Sequence, residues 1–218
     1  MPYYAVAKGR KPGIYTTWME AQRQIQGFHS PKFKKFEKRT EAEEFCNAPQ
    51  TLLNFLHRDD PKEGDNTLIV FTDGACSANG QEHARASYAT VWPQHPELDS
   101  AHNLPGINQT NNRAEMMAII HAMHQAQQLD PENKKTLIIY TDSMLLVKML
   151  SEWIYQWKRN NWVKADGEPI SNIDLVHTLD SLMQTRKIAL RHVRAHTGAQ
   201  NWESIFNDKV DKLARKGA

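Results

Sequence analysis

Two stretches of the chain are short, almost wholly apolar and rich in β-branched residues: Thr67 to Thr72, TLIVFT, and Leu137 to Thr141, LIIYT. Continuous runs of this length read as buried strands. Ala84 to Trp92 and Ile188 to Val193 alternate in character instead, as half-buried strands do. A helical spacing follows the polar stretch NQTNNR at 108–113, where Ala114, Met117, Ala118, His121, Ala122 and Gln125 cover one broad face. Met144 to Trp157 predicts a second helix, with Leu146, Met149, Leu150 and Trp153 on one side. Asn207 to Lys216 predicts a third, with Val210, Leu213 and Ala214 as its apolar stripe. Strands interleaved with helices point to an α/β domain.

The first 47 residues follow a smaller rhythm. Tyr3 to Ala7 is a β-prone run, Lys8 to Gly13 a turn with three cations and two glycines, and Ile14 to Thr17 a second strand. Trp18 to Ile25 reads as a helix in which Trp18, Ala21 and Ile25 share a face, with Thr17 and Glu20 spaced as a capping box. Phe33 to Phe36 is a third short strand, and Thr40 with Glu43 reads as a second capping box opening a helix through Phe45. The sum is a small three-strand, two-helix module. His57 to Asn66, HRDDPKEGDN, is polar, aperiodic and broken by Pro61 and Gly64, which marks a linker. The expected division is a module at 1–47, a linker at 48–65 and a large domain at 66–218.

Charge alters the picture only once it is divided. Lys and Arg number 27 and Asp and Glu 25, a net of +2 that gives no hint of a polyanionic partner. Residues 1–47, however, hold nine cations and five anions, and the remainder eighteen and twenty. Two cysteines, Cys46 and Cys76, do not make a disulfide scaffold and suit a reducing compartment. The opening residues lack the apolar stretch of a signal peptide, and no apolar run approaches the roughly 20 residues of a membrane helix. A cytoplasmic protein without a membrane partner is expected.

The candidate chemistry has two parts. In the module, cations stand beside aromatics: Tyr4, Trp18, Phe33, Lys34 and Lys35. Lysines neutralise phosphates and aromatic faces pack on bases or sugars, although Trp18 as core and the lysines as a solvated face fit equally. In the large domain, two buried strands run into acids, FTDG at Asp73 and YTDS at Asp142. An Asp ending such a strand is a poor core residue unless its charge is compensated, as a metal ion would do. Asp73-Gly74 is also a turn-forming pair. Glu115 and Asp211 lie near the starts of two helices, where a carboxylate also suits the helix dipole. If the four converge, hard oxygen ligands without a Cys/His pair favour Mg²⁺ or Mn²⁺. Two ions about 4 Å apart would activate water against a phosphodiester. His121 and His124 are spaced like a ligand pair but fit a packed or solvated helix face.

The blocks FTDGACSANG, TNNRAEMMAIIHA, YTDSMLLV, WIYQWKRNNW, HVRAHTG and NDKVDKLARKG, in this order, resemble the catalytic domain of type 1 ribonucleases H. The stretch 3–45, with YAV, GRKPGIY, TW and FKKF, is similar to the hybrid-binding domain that precedes it in many members. The resemblance implies a mixed five-stranded sheet flanked by helices, with strands one to three antiparallel, behind the three-strand, two-helix module. It implies an acidic tetrad at Asp73, Glu115, Asp142 and Asp211 holding two Mg²⁺ ions. The N-x-x-x-D-x-L-A frame from Asn207 selects Asp211 over Asp208. His196 matches a loop histidine that assists proton transfer or product departure, in a loop to Asp211 that is several residues longer than usual.

The same resemblance implies the substrate contacts. Asn79, Asn111 and Asn112 match minor-groove positions, with Glu115 also meeting a 2′-OH, the group that marks RNA. Thr110 and Asn172 match a pocket for a DNA phosphate, although Asn108 stands where a basic residue is frequent. Lys148 to Lys164 has four cations against one acid and resembles the basic protrusion that grips DNA. Trp153 is the candidate contact there, and Leu145 replaces an aromatic. In the module, Tyr4, Trp18 and Phe33 would pack on the DNA strand and Lys34 and Lys35 meet its phosphates. The implied activity is endonucleolytic hydrolysis of the RNA strand of an RNA/DNA hybrid, leaving 5′-phosphate and 3′-hydroxyl ends, by a monomer with no obligate protein partner. The removal of RNA primers and R-loops is the implied task. Two rivals remain open: a non-catalytic hybrid-binding protein, and a related two-metal DNA nuclease.

Overall fold

The computed structural model describes residues 2–28, 31–47, 66–194 and 202–218. The expected linker 48–65 and His196, with most of its loop, lie outside the described residues. The chain divides into two compact units, Met1–Asn54 and Phe55–Ala218.

The smaller unit contains β1 (Tyr3–Lys8), β2 (Gly13–Tyr15), α1 (Trp18–Ile25), β3 (Lys32–Phe36) and α2 (Arg39–Asn47). Its sheet runs β2-β1-β3 with antiparallel pairs throughout. Alternation along β1 gives the sheet two apolar faces. Val6 packs with Ala21 and Ile25 of α1, while Ala5 packs with Phe36, Ala42 and Phe45 on the α2 side. Thr17 caps α1: its hydroxyl accepts from Glu20 N at 3.3 Å and donates to the Glu20 carboxylate at 2.8 Å. The second expected capping box does not form. α2 begins at Arg39, so Thr40 is already inside the first turn, and Glu43 pairs with Arg39 at 2.9 Å one turn back.

The larger unit contains β4 (Thr67–Ser77), β5 (Arg85–Val91), β6 (Ser100–Asn103), α3 (Asn111–Leu129), β7 (Thr136–Thr141), α4 (Met144–Lys148), a π turn (Met149–Trp153), α5 (Ile154–Arg159), α6 (Ile173–Met183), β8 (Ile188–His192) and α7 (Trp202–Arg215). The sheet order is β6-β5-β4-β7-β8. β4, β5 and β6 pair antiparallel, and β4-β7 and β7-β8 pair parallel, giving the mixed five-stranded sheet expected.

Each face of this sheet carries a helix. On one, Ile69, Phe71, Ile138 and Tyr140 pack with Val210 and Ala214 of α7. α7 begins at Trp202, a turn before the expected Asn207, because Trp202 and Phe206 lie 5.4 and 5.5 Å from the Phe71 ring and extend the helix over the core. On the other face, Ala114 and Ala118 of α3 pack with Ala86, Tyr88 and Leu104. α3 is buried more widely than one stripe, Met116, Ile119, Ile120 and Met123 included, because α6 packs along it. The expected single helix from Met144 to Trp157 is broken by the π turn, in which Ile154 N donates to Met149 O. The extra residue shifts the helical phase. The buried stripe of Leu146, Met149 and Leu150 therefore passes to Ile154, at 1% exposure, and leaves Trp153 half-buried.

Candidate functional site

The sheet register brings two of the four acids together. Phe71 of β4 pairs with Tyr140 of β7 in parallel, and their rings stack at 4.7 Å on the α7 face. Two residues further along come Asp73, still within β4, and Asp142, just past the end of β7. Asp73-Gly74 is not a turn: both residues continue β4, paired with Ala89 and Tyr88. On the α7 face, Val210 and Ala214 fasten the helix to the sheet beside Asp211.

Glu115 arrives from the opposite face, and Gly74 is what admits it. A Cβ built on Gly74 would stand 2.2 Å from Glu115 N and 2.5 Å from the Ala114 carbonyl carbon. The first turn of α3 therefore rests on bare backbone, which only glycine allows. Thr110 caps this helix by accepting from Arg113 N at 3.3 Å. Asp73, Glu115, Asp142 and Asp211 thus line one open cleft of about 440 Å³, together with Gly74, Ala75, Cys76, Ser77, Asn111, Arg215 and Ala218. Asp208 is not in the lining.

Gathering four carboxylates has an electrostatic cost. Burial pushes the Asp73 carboxyl up to about 8, the Asp142 charge adds to it, the Gly74 N–H at 2.8 Å opposes it, and Asp211 and Glu115 add further. Burial also raises Glu115, against hydrogen bonds from Ser143 Oγ at 2.5 Å and Asn111 Nδ2 at 2.8 Å. Asp211 accepts from Arg215 Nε at 2.8 Å. Each of these three is engaged by a donor of its own chain. Among the described residues no three His, Cys, Asp or Glu side chains are gathered tightly enough to hold an ion in this arrangement. The donor set nonetheless fits a hard divalent cation: carboxylate oxygens, no imidazole among the described lining residues, and mutual repulsion that a cation relieves.

The expected substrate residues form two groups. Asn79 Oδ1 accepts from Asn111 N at 3.3 Å, and Asn111 in turn binds Glu115, so these asparagines are wired to the cleft; Asn112 is exposed beside them. Thr110 and Asn172 are linked through Arg113, whose Nη1 donates to Asn172 Oδ1 at 3.3 Å while its fork grips Asp174 at 2.9 and 2.7 Å. Asn172 holds a left-handed backbone, φ 56°, at the start of α6. Trp153, half-buried at the end of the π turn, has its ring 6.0 Å from that of Trp157. His121 Nε2 lies 3.1 Å from Ser100 Oγ and its ring 4.7 Å from that of His102, while His124 is exposed on the same helix.

Sequence reasoning missed several supports. Ser143, next to Asp142 in the YTDS block, caps α4 and binds Glu115. His192 Nε2 lies 3.2 Å from the Asp142 carbonyl oxygen. Arg215 is one helical turn from Asp211, a spacing visible in the sequence.

In the small module, Tyr4, Trp18 and Phe33 form a row with ring centroids 5.7 Å apart at each step. The two lysines are divided by strand alternation. Lys35 pairs with Tyr4 in register and shares the aromatic face with Phe33. Lys34 pairs with Ala5 and belongs to the α2 face, its Nζ 5.5 Å over the Phe36 ring.

A family model described as RNase H matches residues 65–218, and one described as Ribonuclease H1 N-terminal domain matches residues 2–46. Ribonuclease H1 of Homo sapiens is 31% identical over 264 aligned residues, covering 99% of this chain and 89% of its own length. Ribonuclease H of Schizosaccharomyces pombe is 28% identical, covering 99% and 97%. Among solved structures, the PFV RNase H domain superposes with a TM-score of 0.57 at 20% identity, over 71% of this chain and 95% of that one. LC9-RNase H1, a type 1 RNase H, gives 0.54 at 22%, over 70% and 72%. At these identities the superpositions show the shared fold.

Proposed function

The chain belongs to the ribonuclease H family and also carries the N-terminal domain found in Ribonuclease H1, and on that premise we propose how its residues divide the work. The protein is an endoribonuclease that cleaves the RNA strand of RNA/DNA hybrids, and family membership implies that it depends on a divalent metal. In our reading Asp73, Glu115, Asp142 and Asp211 hold two Mg²⁺ ions, with Mn²⁺ as a substitute. When bound, these ions activate the attacking water and offset charge on the leaving oxygen. Asp73 and Asp142 present oxygens from the strand side, Glu115 from above Gly74, and Asp211 from α7. The hydroxyl of Ser143 and the amide of Asn111 orient Glu115.

Asn79, Asn111 and Asn112 meet the minor groove, where the 2′-OH identifies the RNA strand. Thr110 and Asn172, held in common by Arg113, take a DNA phosphate. Trp153 packs on the DNA strand, and His196 serves proton transfer or product departure. Residues 1–47 bind the hybrid through Tyr4, Trp18, Phe33, Lys34 and Lys35. Residues 48–65 tether them to the catalytic domain at 66–218 and raise the local concentration of substrate. The products carry 5′-phosphate and 3′-hydroxyl ends, and RNA primers and R-loops are the substrates we assign. Two free cysteines, Cys46 and Cys76, suit a reducing cytoplasm. Among the described residues no helix is long and apolar enough to cross a membrane.

The observation that carries the catalytic reading is the convergence of four carboxylates from four elements on one cleft. Its test is cleavage of end-labelled RNA–DNA, RNA–RNA and DNA–DNA duplexes with and without EDTA. Cleavage restricted to the RNA of the hybrid and abolished by EDTA is expected. DNA cleavage at a similar rate would sink the choice of substrate, and activity that survives EDTA would sink the metal.

A further inference from the structure

The cleft contains a cation of its own. Arg215 follows Asp211 by one turn of α7, and its Nε donates to Asp211 Oδ1 at 2.8 Å. It lines the cleft beside Asp73, Glu115 and Asp142. Its side chain is 61% exposed and that of Asp211 16%, so the guanidinium reaches inward from solvent to a carboxylate that stays in place. Glu115 and Asp73 are engaged by neutral donors, a hydroxyl, a side-chain amide and a backbone N–H. Among the described contacts, Asp211 is the member of the four that is paired with a full positive charge.

We propose that Arg215 is the resident counter-cation of Asp211: its guanidinium holds the carboxylate while no divalent ion is bound and yields it when one arrives. The proposal rests on the reading of the four carboxylates as the metal-binding set, and it adds a positioning residue to that set. Three physical points carry it. First, four carboxylates on one cleft repel one another, and an internal cation reduces that repulsion before any metal is present. Second, the oxygen that accepts from Arg215 is an oxygen a hard cation needs. Guanidinium does not deprotonate in proteins, so only displacement frees it. Third, the guanidinium is solvent-exposed and joined to Asp211 at four-residue spacing on a helix, and an ion pair open to water on one side contributes little to stability. It exchanges without moving α7. A buried bridge would lock the site; this one keeps it ordered and replaceable.

The consequence is that metal affinity in the absence of substrate is held down. Hybrid phosphates entering the cleft give Arg215 another anion to grip, and its fork matches a phosphate well. Metal and substrate then load together.

The test is Mn²⁺ titration of the full chain without nucleic acid, read from the paramagnetic resonance of free Mn²⁺, for the wild type, Arg215→Gln and Arg215→Lys. Arg215→Gln removes both the competitor and a like charge near the ion, and Mn²⁺ is expected to bind about fivefold tighter. Arg215→Lys keeps the charge and is expected within about twofold of wild type. The rise in melting temperature on replacing EDTA by saturating Mg²⁺ is expected to be larger in Arg215→Gln. A merely structural role gives the opposite sign, because fraying the end of α7 would loosen Asp211 and weaken binding. Unchanged or weaker Mn²⁺ affinity in Arg215→Gln overturns the proposal while leaving the metal site standing. A wild type that binds no Mn²⁺ at millimolar concentration overturns the metal site, and this proposal with it.

Discussion

The small module and the large domain handle their polar chemistry in opposite ways. The module keeps it outside: Trp18 and Phe33 are 41% and 43% exposed, and Lys34 and Lys35 are exposed on an edge strand. The large domain draws it in, with Asp73 at 7% exposure and its neighbours close enough to alter its ionisation. Gripping a duplex needs reachable charges and stacking faces at tolerant spacing, because bases and phosphates repeat. Cleaving it needs charges concentrated where water screens them poorly. A change in the module should therefore move affinity, and a change in the cleft should move chemistry.

The largest expected effect tests the second half of that contrast. Asp142→Asn should slow hydrolysis of a uniform hybrid by about 10³-fold, on the scale of losing one electrostatic stabiliser, with an unchanged circular dichroism spectrum. Unchanged hydrolysis would reduce the large domain to a second binder. Next is Gly74→Ala, which drives a methyl into the backbone of α3. It should cost about 3 kcal/mol and lower the melting temperature by about 10 °C, because neither backbone can yield cheaply. A variant of native stability would mean that Glu115 is not held by this contact.

In the module, Lys34→Ala with Lys35→Ala should weaken hybrid binding and flatten its salt dependence, while sparing single-turnover cleavage at saturating enzyme. The single variants sharpen this. Lys35 shares the aromatic face, so Lys35→Ala should lower the salt slope by about 1, and Lys34→Ala by less. Equal losses would mean that both faces of β3 meet the duplex.

The smallest effect concerns acid. Burial, with help from the nearby His102 and His124 charges, lowers the His121 imidazole from 6.5 to about 4. Between those values the unfolded chain binds a proton that the folded chain refuses. The stability this residue contributes is therefore complete above about pH 6.5 and declines as pH falls toward 4. His121→Gln should flatten melting temperature against pH across that window. His121 lies on α3 of the large domain, so the change should be confined to the large-domain transition.

Much of the fold was readable because burial leaves a pattern. TLIVFT and LIIYT became adjacent parallel strands, and the stripe Val210, Leu213 and Ala214 became the α7 contact. β6 was unreadable: its four residues, SAHN, are small or polar and are ordered by ladder pairing to β5, which hydrophobicity does not record. α6 has legible apolar residues in Leu175, Val176 and Leu179, but nothing in them names α3 as the partner. The π turn escaped because a single inserted residue leaves the apolar content of its helix unchanged. For the site, residue type and motif marked the acids, whereas their convergence depends on register and on Gly74, where the informative feature is a missing side chain. Lys34 and Lys35 looked like one basic patch because adjacency in sequence hides the alternation of a strand.

Gly74 also fixes a dimension. Asp73 and Glu115 are far apart along the chain, and a separation set by the loops and strands between them would accumulate the slack of every segment. Direct contact between the backbone of β4 and the first turn of α3 bypasses that series. The spacing of strand-borne and helix-borne carboxylates is then gauged across a single joint, and the intervening segments are free to vary in length or motion without detuning it.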